Sequence, residues 1–264
     1  MTTKEIYQIA MRQSALELGC KAEDFLQREN KLVYSVCSDS ARSYLTLPFF
    51  CQIVSYGSNA VASVSPAVSG DVQWYLERYK VPGCFETPNI NVLAQKLAPY
   101  GFSLCFMAEY FLPDVDALHP LSCDFTIKKL YHEDFAELYT PEWSNALSAA
   151  RPQHDVLGMG AYHSGKLIGL AGCSADCEQM WQIGIDVLPP YRRKGVASEL
   201  TSRLALEILA LGKVPFYCAA WSNLFSVRNA IKSGFRPAWI ELTAKEQAFV
   251  DRMNHPNPSS QANF

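Results

Sequence analysis

Apolar and polar positions alternate with a period of two from Trp181 to Val187: Trp181, Ile183, Ile185 and Val187 interleave with Gln182, Gly184 and Asp186. That pattern predicts a strand with one apolar face. Immediately downstream the period changes. Val196, Leu200, Leu204, Ile208 and Leu211 recur at helical spacing, and Gly212 supplies the stop. Arg192-Arg193-Lys194-Gly195-Val196-Ala197 must therefore turn the chain from strand into helix. Free N–H groups at a helix start lie at the positive end of the helix dipole, so an anion there is stabilised without a dedicated side chain. Gly195 has no Cβ to keep such an anion off the backbone. The bend is expected to hold a pyrophosphate, although a basic turn by itself is also what a solvated connection looks like.

The same reading places further elements. A helix is expected over 3–18, a strand over 32–37, a hairpin across 56–60, and a helix after Asp71 that puts Val72, Tyr75, Leu76 and Tyr79 on one face before Pro82-Gly83. Another helix over 91–98 ends at Pro99-Tyr100-Gly101, and 102–112 reads as a strand. Next come a strand over 124–130, one or two helical turns within 132–147 interrupted near Pro141, and two apolar runs, 156–162 and 166–172. His163-Ser164-Gly165 joins those runs as a hairpin. The segments 214–221 and 238–242 read as strands, 243–253 as helical, and 254–264 as a loose polar tail. This predicts an α+β chain with an α/β lobe over 1–120, a second domain over 121–253 and a flexible tail over 254–264.

Composition narrows the partners. The chain has 264 residues, 49% of them hydrophobic, and a net charge of -3. That balance speaks against a nucleic-acid partner, which needs a basic face. No apolar run approaches a membrane span, so no membrane partner is expected, and the first residues lack a signal peptide. Nine cysteines without paired spacing read as reduced thiols of a cytoplasmic protein. Cys173 and Cys177 are four apart but have no second cluster, so no metal is expected.

The bend excludes two common phosphate loops. Neither Gly-x-x-x-x-Gly-Lys-Ser/Thr nor Gly-x-Gly-x-x-Gly occurs around Gly195, so neither ATP nor NAD is favoured. Arg-x-x-Gly-x-Ala after a strand ending Val-x-Pro instead resembles motif A of the GNAT superfamily of acetyl-CoA-dependent N-acetyltransferases. Asn223-Leu224-Phe225-Ser226 through Gly234-Phe235, following the 214–221 strand, resembles its motif B. Asn223 as a helix cap and Gly234 as a helix stop would serve any protein; their order after motif A is what carries the likeness, over roughly 123–242. The resemblance implies a GNAT fold, a splayed mixed sheet with helices on both faces, beside a smaller non-catalytic amino-terminal lobe like that of the zwittermicin-resistance branch. It implies acetyl-CoA as cosubstrate, held by Ile185, Asp186, Val187, Arg192, Arg193, Lys194, Gly195, Val196, Ala197, Ser198, Asn223 and Ser226. A small-molecule amine is the implied acceptor, attacking the thioester directly. A homodimer is left open.

The sequence departs from the family at two places. A tyrosine acid expected seven residues after the motif B asparagine is Ala230, and a glutamate base expected five before it is Cys218. Asp186 and Glu178 are the alternative bases and Ser226 and Tyr217 the alternative acids, each with an ordinary structural reading, so no catalytic residue is assigned. Trp143, Trp181 and Trp221 are candidates for an acceptor pocket or simply for the core. His132, His154 and His163 read as surface or structural groups. The two departures leave a rival open, a non-catalytic acyl-CoA-binding sensor or interaction protein.

Overall fold

The computed structural model describes residues 1–255. In chain order it forms α1 (Thr3–Leu18), β1 (Lys31–Tyr34), β2 (Cys51–Ser55), β3 (Val61–Val64), α2 (Ser69–Arg78), α3 (Thr87–Leu97) and β4 (Phe102–Pro113). There follow β5 (Thr126–Tyr131), β6 (Asp155–His163), β7 (Lys166–Ser174), β8 (Met180–Val187), α4 (Val196–Ala210), β9 (Val214–Ala220), α5 (Leu224–Lys232), β10 (Phe235–Glu246) and α6 (Gln247–Asn254). The fold is α+β, and its residues divide into two units. Met1–Ile9 with Phe111–Pro237 forms a central unit; Ala10–Tyr110 with the described residues from Ala238 onward forms an amino-terminal unit.

In the amino-terminal unit the strands run in the order β1-β3-β2-β10-β4. The 56–60 hairpin joins β2 and β3 antiparallel, with Cys51 opposite Val64. Val72, Tyr75 and Leu76 of α2 are buried as their spacing predicts, and they pack with Leu93 and Leu97 of α3 and Ile53 of β2. Two expectations change here. β1 stops at Tyr34, where its partner β3 ends at Val64, so the extended run to Cys37 has no strand to pair with. The stretch 243–246 is the end of β10 and not helix: Leu242 and Thr243 pair with Ile53 and Gln52, and α6 starts only at Gln247. Tertiary pairing overrides local propensity there. Of the tail expected over 254–264, Asn254 closes α6, and 256–264 lies outside the described residues.

The central unit carries the strand order β9-β8-β7-β6-β5. β5 to β8 are antiparallel neighbours, with Ser164 at φ 49° and Gly165 at φ 79° closing the β6–β7 hairpin. α4 lies across one face, where Val196, Leu200, Leu204 and Ile208 pack on Leu157, Met159, Ala171 and Ile183. Burying side chains of this size stabilises the unit by about 1.5–3 kcal/mol each. The other face is covered by short 3-10 turns, His132–Phe135 and Pro141–Trp143. Phe135, Trp143, Ala146 and Leu147 pack there on Leu130 and Leu170.

Candidate functional site

β8 and β9 are parallel partners only from Met180/Val214 to Ile183/Tyr217. Beyond that pair β8 stays with β7 as far as Val187, opposite Gly169, while Cys218 to Ala220 of β9 have no register partner on β8. Pro189 and Pro190, which lack N–H groups, follow directly and cannot prolong the ladder. The strands therefore fork at Ile183 and Tyr217. Leu188 N donates to Ile168 O at 3.0 Å, which marks 168/188 as a hydrogen-bonded pair. Antiparallel pairs alternate, so the backbone groups of Val187 and Ile185 point away from β7 and into the fork. Arg192 Nε occupies the Val187 carbonyl at 2.9 Å, leaving the Val187 and Ile185 N–H groups aimed into the gap.

A cleft of about 470 Å³ fills this fork, lined among others by Asn145, Ile185, Asp186, Val187, Arg192, Ala197, Tyr217, Cys218, Asn223 and Ser226. Its outer edge is the bend into α4. Arg193 at φ 63° and Gly195 at φ 82° are left-handed, and Gly195 is the N-cap of α4 without a capping side chain. The Gly195 carbonyl accepts from Glu199 N and Ser198 Oγ, each at 3.0 Å. Among the described residues nothing accepts from the backbone N–H groups of 193–198. The exposed side chains of Arg192, Arg193 and Lys194 surround these donors. Open amides, a helix start and three cations make a site for a multiply charged anion.

The residues expected at the site divide into three groups. Ile185, Asp186, Val187, Arg192, Ala197, Asn223 and Ser226 line the cleft. Arg193, Lys194 and Gly195 form the bend. Val196 and Ser198 turn their side chains inward and are buried, so they offer a ligand only backbone N–H groups. The left-handed φ gives Gly195 a second reason beyond close approach: a Cβ there would find ordinary contacts at 3.5 and 3.7 Å, yet the backbone conformation itself favours glycine. Asn223 caps α5 by accepting from Ser226 N at 3.1 Å, and Gly234 at φ 91° follows the helix.

Asp186 is committed to the opposite wall. Its carboxylate accepts from Asn145 N at 2.8 Å, Asn145 Nδ2 at 2.7 Å and Ala146 N at 2.9 Å. A Cβ on Gly184 would lie 1.8 Å from the Asn145 carbonyl oxygen, and one on Gly172 would lie 2.2 Å from that of Ala146. The 145–146 backbone thus rests on two glycines and is pinned by one aspartate. This use of Asp186 removes it as a ready base. Glu178 is exposed and, among the described residues, accepts from Gln179 Nε2 at 3.4 Å. Trp143 packs with Leu147, Trp181 packs against the α4-side core, and Trp221 is exposed. None of these three tryptophans lines the cleft.

Two positions that depart from the family pattern are accounted for by packing. Ala230 is fully buried in the core shared with Tyr217 and Phe235. Cys218 Sγ accepts from Gln182 Nε2 at 3.2 Å across the base of the fork. Tyr217 Oη and Ser226 Oγ are 2.7 Å apart. Burial pushes the phenol above its ordinary pKa, against the pull of hydrogen bonds with Ser226 and Asn229. Asn145, Gln182, Gly184, Phe225 and Asn229 also line the cleft and were not expected there. Asn145 left no periodic signal, because an irregular segment brings it to the site.

Residues 109–238, just under half of the chain, match the profile of the family described as GNAT acetyltransferase. No curated protein matches. Among solved structures, a GCN5-related N-acetyltransferase-like protein from Streptococcus suis is 19% identical, with 59% of this chain and 67% of that one covered and a TM-score of 0.41. An acetyltransferase of the GNAT family from Colwellia psychrerythraea is 16% identical, covering 60% and 63%, at 0.41. A functionally unknown conserved protein from Staphylococcus epidermidis is 15% identical, covering 80% and 93%, at 0.44. The chain spans less than two-thirds of the Colwellia protein it matches.

Proposed function

We propose that this chain, whose residues 109–238 match the GNAT acetyltransferase profile, moves an acetyl group from acetyl-CoA to an amine of a small molecule by direct attack. The observation that carries this reading is the fork of β8 and β9, opening onto a bend of unpaired amides at the start of α4. When bound, acetyl-CoA supplies an activated thioester, so the protein needs no nucleophile of its own.

The residues present fit that role. The N–H groups of 193–198, with Arg192, Arg193 and Lys194, bind the diphosphate as a helix-start anion site. The fork admits a narrow arm between β8 and β9. The Val187 N–H, directed into the gap, stands ready for the thioester oxygen, and a preorganised donor of this kind lowers a barrier by roughly 2–4 kcal/mol. Asn145, held by Asp186, forms the wall on the acceptor side. Cys218 and Gln182 give the base of the fork an uncharged lining, consistent with an acceptor that reacts as the neutral amine.

The test is a panel of small amines with acetyl-CoA, following thiol release and the mass of the product. Amine-dependent release, with a product heavier by one acetyl group in place of one hydrogen, supports transfer. Tight binding of acetyl-CoA with no release across the panel would replace this reading by one of binding alone.

A further inference from the structure

Tyr217 is the last residue of β9 to pair with β8, so its side chain roots at the point where the strands part. Its ring is 2% exposed and wedged edge-on against Phe111 beside Phe235. Ala230 of α5 is fully buried in the same core. The phenol oxygen thus reaches the first turn of α5 from the strand side and meets Ser226 Oγ at 2.7 Å.

The direction of this hydrogen bond follows from burial. Tyr217 is shut off from solvent, and among the described residues Ser226 Oγ is its hydrogen-bond partner. A buried O–H left without an acceptor is costly, so the phenol donates its proton to Ser226. Burial keeps that phenol protonated at neutral pH and above. Ser226 Oγ therefore accepts from Tyr217, and its hydroxyl proton has no acceptor among the described residues. Ser226 is partly exposed and lines the cleft. The pair Tyr217 and Ser226 thus ends in a single O–H donor facing the fork.

We propose that Ser226 is the hydrogen-bond donor that meets the departing sulfur of coenzyme A, and that Tyr217 is the positioning residue that fixes its orientation. This rests on the transfer reading above. In the step concerned, the amine nitrogen bonds to the thioester carbonyl carbon, and the carbon–sulfur bond breaks with its electron pair left on sulfur. The extra proton on nitrogen passes to water. Ser226 steadies the thiolate through its O–H without surrendering the proton, which suits a leaving group whose thiol is far more acidic than a serine hydroxyl. The tyrosine that motif B lacks at Ala230 is thereby replaced by a hydroxyl pair contributed from β9 and the first turn of α5.

The test compares CoA with desulfo-CoA by calorimetry on the full chain at pH 9, above the ordinary thiol pKa of about 8.5. The affinity ratio isolates what the protein does for sulfur, since every other contact is shared. A charge-assisted hydrogen bond predicts that the wild-type preference for CoA falls about tenfold in Ser226→Ala. It should fall by a similar factor in Tyr217→Phe and return in Ser226→Thr, which keeps a hydroxyl. Equal ratios in wild type and Ser226→Ala overturn the proposal while leaving the transfer reading intact. Failure of the wild type to bind either ligand overturns both. Ser226→Ala removes only a partly exposed hydroxyl, so it decides the matter even where Tyr217→Phe loosens the core.

Discussion

Gly184→Ala is a single-methyl change whose effect follows from one distance. The new Cβ would stand 1.8 Å from the Asn145 carbonyl oxygen, where ordinary contact begins at 3.4 Å. Both partners are backbone, so no side chain can swing aside, and the 145–146 segment must retreat by about 1.6 Å. That retreat stretches the three hydrogen bonds through which Asp186 holds Asn145 and Ala146. Losing one such bond to a carboxylate costs about 2 kcal/mol, which for a chain of this size lowers the thermal midpoint by roughly 4–8 °C. The acceptor wall moves with the segment, and a misplacement of about 1 Å can cost about a hundredfold in rate. The assay is thermal unfolding together with kcat/KM for the amine, with acetyl-CoA affinity measured alongside. Affinity should hold, because the bend at 193–198 is untouched. Gly70→Ala is the control: it lies in α2, and a Cβ there meets nothing within 4 Å. A Gly184→Ala protein as stable and active as wild type would refute the seating of 145–146 on the sheet.

Three further outcomes follow. Gly195→Asp places a β-carbon at φ 82° and a carboxylate among the open amides, so acetyl-CoA affinity by calorimetry should fall more than about tenfold; unchanged affinity removes the bend from the site. Asp155 is pushed up to about 6, chiefly by burial, with Asp176 adding repulsion. The folded state then keeps a proton that the unfolded chain sheds near its ordinary value, so this group favours folding at low pH, and its contribution declines as pH rises to about 6. Across that window the thermal midpoint of wild type should fall relative to Asp155→Asn, and parallel curves would contradict the shift. In the amino-terminal unit, Arg42 bridges the buried carboxylates Glu17 and Glu241 at 2.7 and 2.9 Å. Arg42→Met strands both charges and should cost about 3–5 kcal/mol in urea unfolding; a loss below about 1 kcal/mol would show the cluster to be dispensable.

The strand, bend and helix from Met180 to Ala210 were legible because each announces itself locally. Period-two alternation ends at Pro189-Pro190, Gly195 supplies the left-handed residue, and helical periodicity resumes at Val196. Asn223 and Gly234 marked α5 for the same reason. The cleft wall at Asn145 was not legible, since 144–147 is irregular and its position is written in Gly172 and Gly184, far away in sequence. Asp186 gave no sign that its carboxylate would be taken up by that segment. The end of β10 was not legible because 243–246 has no strand signature of its own; it continues a strand whose 240–243 stretch pairs with β2. Tyr217 and Ser226 were visible as single candidates, but their pairing needs the packing of β9 against α5.

Amide hydrogen exchange with and without acetyl-CoA tests the central claim most directly, because it reads the backbone groups themselves. Saturating ligand should slow exchange across 193–198 and at Ile185 and Val187, while the amides of β5 at the far edge of the central unit stay unchanged. Undiminished exchange across 193–198 in a protein that binds acetyl-CoA would contradict the account and place the diphosphate elsewhere.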